Sequence, residues 1–110
     1  MPWQSGPQLQ VDKASYPAEF TREMGCTEAE WLRLLPAAIG EHASRVVENQ
    51  LNVTLASGKL TVCWTTLSPR VIGLVRLPRL QVTFCFDGLS SDERHAFMRR
   101  FDLYMHRGGG

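Results

Sequence analysis

Cysteine and histidine are the side chains in this sequence best suited to nucleophilic or metal chemistry, and their spacing favours neither use. The chain has three cysteines and three histidines in 110 residues. It contains no CxxC or HxxxH pair, and no GxSxG, P-loop or GxGxxG motif. The residues concerned are Cys26, Cys63, Cys85, His42, His95 and His106. We therefore expect no metal, no cofactor and no identifiable catalytic residue, although a Cys–His pair from distant segments stays open.

Arginine is the second residue type that could carry a function. Residues 67–110 carry seven arginines against four acidic side chains, whereas residues 1–66 carry more acids than bases. This asymmetry predicts ion pairs between the two halves of the chain. The alternative is an anion-binding or nucleic-acid surface, because guanidinium groups form bidentate contacts with phosphate and carboxylate. The arginines proposed for that surface are Arg76, Arg79, Arg99 and Arg100.

A third group consists of uncharged polar side chains that alternate with apolar ones. Alternation with period two places them on one face of a sheet. The candidate interface residues are Thr54, Thr61, Cys63, Thr65, Gln81, Thr83 and Cys85. Depletion of charge is typical of an interface core, so the face predicts contact with a second copy of the chain or with another protein. A solvated threonine-rich sheet and a ligand-binding face stay open as alternatives.

Helical signals occur on both sides of the alternating region. Thr27 and Glu30 form a capping-box pattern before an apolar stripe, and Pro36 is expected to kink or end that helix. Ser90 and Glu93 repeat the capping box before a C-terminal amphipathic helix. A further short helical turn is predicted over Tyr16–Met24, ended by Gly25.

Strand signals fill residues 46–87. Turns are predicted at Ser57-Gly58-Lys59 and at Ser68-Pro69, and Pro78 marks an edge, a bulge or a break, so residues 71–87 form one bent strand or two short ones. The apolar face expected to form the core holds Leu51, Val53, Leu55, Leu60, Val62, Trp64, Leu80, Val82, Phe84 and Phe86. The fold class is therefore α+β: a two-layer sandwich with an antiparallel meander of three to four strands in α-β-β-β-α order.

Length and composition limit the class of protein. We expect a flexible leader over residues 1–15, a single domain over 16–107 and a flexible glycine tail over 108–110. There is no apolar run long enough for a transmembrane helix and no signal-peptide pattern, so a cytoplasmic location without membrane contact is expected. A net charge of +1 argues against a dedicated nucleic-acid binder.

Three segments carry a resemblance to known proteins. They are Phe20-Thr21-Arg22-Glu23-Met24-Gly25-Cys26-Thr27, Leu77-Pro78-Arg79-Leu80-Gln81-Val82-Thr83-Phe84, and Met98-Arg99-Arg100-Phe101-Asp102-Leu103-Tyr104 running on to the triple glycine. From Tyr16 onward the chain resembles a set of short bacterial proteins without an assigned activity. The resemblance implies a bacterial, stand-alone, cytosolic protein and transfers no catalytic residue.

The residues together favour a non-catalytic interaction module, homodimeric or bound to another protein through the uncharged sheet face. An anion or nucleic-acid binder is the first alternative. A small-ligand protein or enzyme with a pocket between sheet and helices is the second.

Overall fold

Residues 16–109, which a computed structural model describes, form two helices packed on one antiparallel sheet of five strands. The leader predicted over residues 1–15 lies outside the described residues. The elements are β1 (Glu19–Met24), α1 (Glu28–Ile39), β2 (Ala43–Val47), β3 (Gln50–Thr54), β4 (Lys59–Ile72), β5 (Val75–Asp87) and α2 (Ser91–Gly109). The strand order is β1-β5-β4-β3-β2. The α+β class is confirmed, with five strands in place of three to four and a strand, not a helix, as the first element.

Strand β1 occupies the segment for which a helical turn was predicted, so that prediction is wrong. Phe20 and Met24 are spaced i, i+4, but with Arg22 they also follow a period of two, and all three are half-buried. The strand pairs antiparallel with β5 from Glu19↔Cys85 to Met24↔Leu80. Pairing with a strand about 60 residues away supplies the backbone hydrogen bonds, and this long-range contact overrides the local spacing.

Both helices begin where their capping boxes predict. The Thr27 hydroxyl accepts a hydrogen bond from the Glu30 amide at 3.1 Å, and the Glu30 carboxylate accepts from the Thr27 amide at 2.9 Å. Helix α1 continues past Pro36 to Ile39, because the last turn buries Ala38 and Ile39 against the core. Ser90 and Glu93 form the same reciprocal pair at the start of α2. That helix extends through Gly109, so Gly108 and Gly109 have helical backbone, and the flexibility of the tail stays a prediction.

The core lies between the sheet and the two helices. All ten apolar strand residues predicted to form it are buried. Helix α1 adds Trp31 and Leu35, and α2 adds Met98 and Phe101. The aromatic rings meet in both edge-to-face and stacked pairs: Phe84 meets Phe101 edge-to-face with centroids 5.4 Å apart, and Phe20 stacks on Phe84 at 4.9 Å. Among the described residues, no helix is long and apolar enough to cross a membrane.

Strands β4 and β5 extend beyond the rest of the sheet as a two-stranded hairpin. Strand β3 pairs with β4 only as far as Cys63, and β1 pairs with β5 only from Leu80. Within residues 16–109, the segments Leu67–Ile72 and Val75–Arg79 therefore pair only with each other, and we call residues 67–79 the hairpin arm. The turn predicted at Ser68-Pro69 is wrong: the chain reverses at Gly73-Leu74, and residues 71 and 72 belong to β4.

A register shift explains the misplaced turn. Between Leu67 and Arg70 the pairing with β5 shifts, so that Ser68 and Pro69 stand opposite Pro78. Prolines cannot donate ladder hydrogen bonds, and a bulge is the position within a hairpin that tolerates them. Gly73 has a positive φ of 60°, as the first central residue of a two-residue hairpin turn requires.

Glu48, in the two-residue connection between β2 and β3, has a backbone conformation that glutamate rarely adopts. Its φ is 55°, in the left-handed region where a Cβ atom meets the following carbonyl oxygen. We expect Glu48→Gly to raise the free energy of unfolding by about 1 kcal/mol in urea titrations. Glu48→Ala removes the charge but keeps the Cβ, so it is the matched control and should give no such gain. Equal changes in the free energy of unfolding for the two variants would contradict a strained backbone at Glu48.

Candidate functional site

The seven predicted interface residues occupy the sheet face that carries no helix. They alternate along β3, β4 and β5 with buried core residues, and they are exposed or half-buried. We call this surface the open face. Gln50 and Asn52 of β3 share this face, as the alternation also predicts. Lys59 of β4 and Asp87 of β5, which stand opposite each other, lie on it as well. By register it further includes residues that the sequence did not place there: Glu19, Thr21 and Glu23 of β1, and Arg45 and Val47 of β2.

Hydrogen bonds between neighbouring side chains satisfy much of the polar surface in the middle of the open face. The hydroxyl oxygens of Thr21 and Thr83 lie 2.9 Å apart across β1 and β5. The Asn52 side-chain oxygen accepts from Thr61 at 3.4 Å and from Gln50 at 3.3 Å. Since these groups already have partners within the sheet, covering the face costs less than burying unpaired polar groups.

One row of residues crosses all five strands of the open face and ends in opposite charges. The cross-strand pairs link Glu19 to Cys85, Cys85 to Thr61, Thr61 to Asn52, and Asn52 to Arg45. Four strand spacings separate the acidic end on β1 from the basic end on β2, or about 19 Å. Neither Glu19 nor Arg45 has a hydrogen-bond or ion-pair partner among residues 16–109. The row is therefore uncharged at its centre and oppositely charged at its two ends.

Glu23, further along β1, is already paired. It accepts hydrogen bonds from Arg79 at 3.0 Å and from Arg70 at 3.2 Å, which are ion pairs between the acidic N-terminal half and the basic C-terminal half. These contacts, that of Arg79 above all, lower the pKa of the Glu23 carboxyl below its usual value. Near the hairpin arm, Glu23 thus offsets one of the two arginine charges, and one positive charge remains.

The hairpin arm exposes aliphatic side chains at its tip. Leu74 is fully exposed at the turn, and the neighbouring aliphatic residues are about half exposed. By register, Leu67, Ile72, Val75 and Leu77 continue the open face along the arm. Several exposed aliphatic residues on one short hairpin form the kind of patch that marks a contact surface.

The three cysteines are free thiols with different surroundings. Cys63 is exposed on β4, whereas Cys85 and Cys26 are half-buried. Burial, and then the Glu19 carboxylate, raise the pKa of the Cys85 thiol; burial, and then Glu30, raise that of Cys26. Both half-buried thiols are therefore poor nucleophiles at neutral pH. In the part of the chain that the structure describes, no three Cys, His, Asp or Glu residues converge on a position for a metal ion.

The four arginines proposed for an anion surface lie in different places. Arg79 is on the open face with Glu23, and Arg76 is exposed on the hairpin arm. Arg100 donates to the Ala37 carbonyl oxygen at 3.3 Å, and its guanidinium group lies 4.4 Å from the centre of the Tyr104 ring. Arg99 lines a groove beside α2. The sheet separates Arg79 from α2, so the structure does not bring the four together.

Sequence reasoning missed both ends of the charged row because it missed the two strands that carry them. The available signal for β1 was an alternation with period two: the polar residues Glu19, Thr21 and Glu23 are separated by Phe20, Arg22 and Met24. Strand β2 is exposed along its whole length and gives no periodic signal, so Arg45 could be placed only through its pairing with Asn52.

The fold and the site define a two-layer α+β sandwich with a polar sheet face that no element within residues 16–109 covers. The chain matches no protein-family model and shows no significant similarity to a curated protein.

Proposed function

We propose that this protein is a non-catalytic homodimeric assembly module and that two copies pack through their open faces. The observation that carries the proposal is the row from Glu19 to Arg45, uncharged in its centre and oppositely charged at its ends. Three free thiols fit a reducing compartment, in agreement with the proposed cytoplasmic location.

Symmetry explains why such a row suits a second copy of the same chain. Homodimers are most commonly related by a twofold axis, so that each contact occurs twice. If the axis runs parallel to β4, the middle strand, the strand order of the second copy is reversed above the first. Glu19 of each copy then lies over Arg45 of the other, and Thr61 and Cys63 lie near the axis. Lys59 also lies near the axis, and Asp87 beside it on β5 offsets its charge. An axis perpendicular to the strands places β1 over β1, where the acidic residues repel each other.

The same arrangement accounts for the aliphatic side of the hairpin arm. With the axis parallel to β4, both arms leave the dimer at the same end. The open-face side of each arm, with Ile72, Val75 and Leu77, then faces the partner. Burial of these half-exposed side chains supplies a hydrophobic contribution that the threonine-rich centre lacks.

Charge reversal at the two ends of the row tests this proposal. Glu19→Arg alone and Arg45→Glu alone each place like charges together at two symmetric positions, so we expect each to raise the dimer dissociation constant about tenfold. The double variant restores opposite charges and should return within about threefold of the original value. Sedimentation equilibrium measures these constants, with Arg33→Glu on α1 as the matched control. A double variant no better than either single variant would refute the proposed axis.

The alternative of an anion or nucleic-acid binder has weaker support, because its four arginines lie on different surfaces. The alternative of a small-ligand protein has a specific observation in its favour, since a groove on the helix side of the sheet contains Cys26.

A further inference from the structure

A groove lies between β1, α1 and α2, on the side of the sheet opposite the open face. It is an open groove with a volume of about 950 Å³. This volume is in the range of sites for small organic ligands. Its apolar lining includes Met24, Leu34 and Met105, which project from three different elements. In volume and lining, the groove is therefore suited to a short aliphatic chain.

The acidic groups of the groove already have partners within the protein. Asp102 accepts from Arg22 at 2.8 Å and from the Tyr16 hydroxyl at 2.9 Å. The Glu30 carboxylate accepts from the Thr27 amide in the capping box of α1. Asp102 is thus offset by Arg22, whereas Glu30 keeps its charge; with Arg33 and Arg99 the lining holds three arginines against two carboxylates, so positive charge is in excess.

The basic groups of the groove differ in this respect. Arg33 of α1 and Arg99 of α2 both line it, both are exposed, and neither has an ion-pair or hydrogen-bond partner within residues 16–109. His106 lines the same groove. Two unpaired guanidinium groups beside an apolar floor are complementary to a ligand with an anionic head and an aliphatic chain.

We propose that the groove binds a small amphiphilic carboxylate, with its chain against Met24, Leu34 and Met105 and its head between Arg33 and Arg99. Cys26 lies in the same groove but takes no covalent part, since its thiol is half-buried and protonated at neutral pH. The site is distinct from the open face, so it can be occupied whether or not the chain is dimeric.

Calorimetric titration of the full chain with sodium decanoate tests the site. We expect saturable binding with one decanoate per chain. Acetate lacks the aliphatic chain and 1-decanol lacks the charge, so both should bind at least tenfold more weakly. Amide chemical shifts in a ¹H–¹⁵N spectrum should change at Leu34 and Leu103, which line the groove.

Substitution of the two arginines tests the role of the head group. The variant with both Arg33→Gln and Arg99→Gln should bind decanoate at least tenfold more weakly, because each charged hydrogen bond contributes substantially to affinity. Arg76→Gln, an exposed arginine on the hairpin arm, is the matched control and should bind within twofold of the unaltered chain. No saturable binding of decanoate, equal binding of 1-decanol, or undiminished binding by the double variant would each overturn the proposal.

Discussion

Thr61→Lys is expected to convert the proposed dimer into a monomer, raising its dissociation constant at least a hundredfold. Thr61 is the middle residue of the charged row and lies on the central strand, near the proposed twofold axis. A lysine there faces the lysine of the partner at the centre of the row, where the facing residues Cys85 and Asn52 are uncharged. The native Lys59 at the start of β4 differs, because it stands opposite Asp87 of β5, whose charge offsets its own. Juxtaposed like charges and unpaired buried charges each cost several kcal/mol.

Thr66 provides the matched control on the same strand. It is exposed, but it pairs with Leu80 and therefore lies on the opposite side of β4 from Thr61. Thr66→Lys should leave the dissociation constant within about twofold of the original value. Because Thr61 is half-buried, urea unfolding of each variant should accompany the mass measurement. Thr65→Lys, at an exposed position of the open face, repeats the test where folding is less affected than at Thr61. If the Thr61→Lys and Thr65→Lys variants each fold and each remain dimeric, the proposed interface is refuted.

Gly58→Ala is expected to lower the free energy of unfolding by about 3 kcal/mol, near the upper end of overpacking effects. A Cβ atom at residue 58 would lie 2.0 Å from the Asp87 carbonyl oxygen and 2.9 Å from a methyl carbon of Leu89. The first neighbour is backbone and cannot rotate away. The turn between β3 and β4 must then separate from the connection between β5 and α2.

That separation also disturbs a contact at the start of α2. The Ser57 hydroxyl donates to the Glu93 carboxylate, which caps the helix, and this bond lowers the pKa of Glu93. Gly25→Ala is the control, because a Cβ at residue 25 meets no atom within 4 Å. Urea unfolding should show a change within about 0.5 kcal/mol for Gly25→Ala. A Gly58→Ala protein as stable as the Gly25→Ala protein would contradict the close packing of the two turns.

The elements that the sequence predicted well are those with local signals. Both capping boxes depend on residues three positions apart, and both helices begin where those residues stand. The core strands follow from strict alternation, such as Leu60, Val62 and Trp64, and their burial depends only on which face meets the helices.

The elements that the sequence did not predict depend on distant contacts. Strand β1 exists because β5 offers it a pairing edge, and β2 is an exposed edge strand held by β3. The turn signal at Ser68-Pro69 was local, but these two residues form a bulge opposite Pro78, and the hairpin continues past them without a turn. For the site, alternation placed seven residues on one face, whereas the charged ends of the row required the strand order.

The mass of the full chain in solution tests the central claim most directly. Size-exclusion chromatography with light scattering, carried out at high micromolar concentration, should give twice the chain mass of 12.4 kDa. That mass should fall to the monomer value for Thr61→Lys and stay unchanged for Thr66→Lys. A strict monomer of the unaltered chain at that concentration would contradict the proposed assembly.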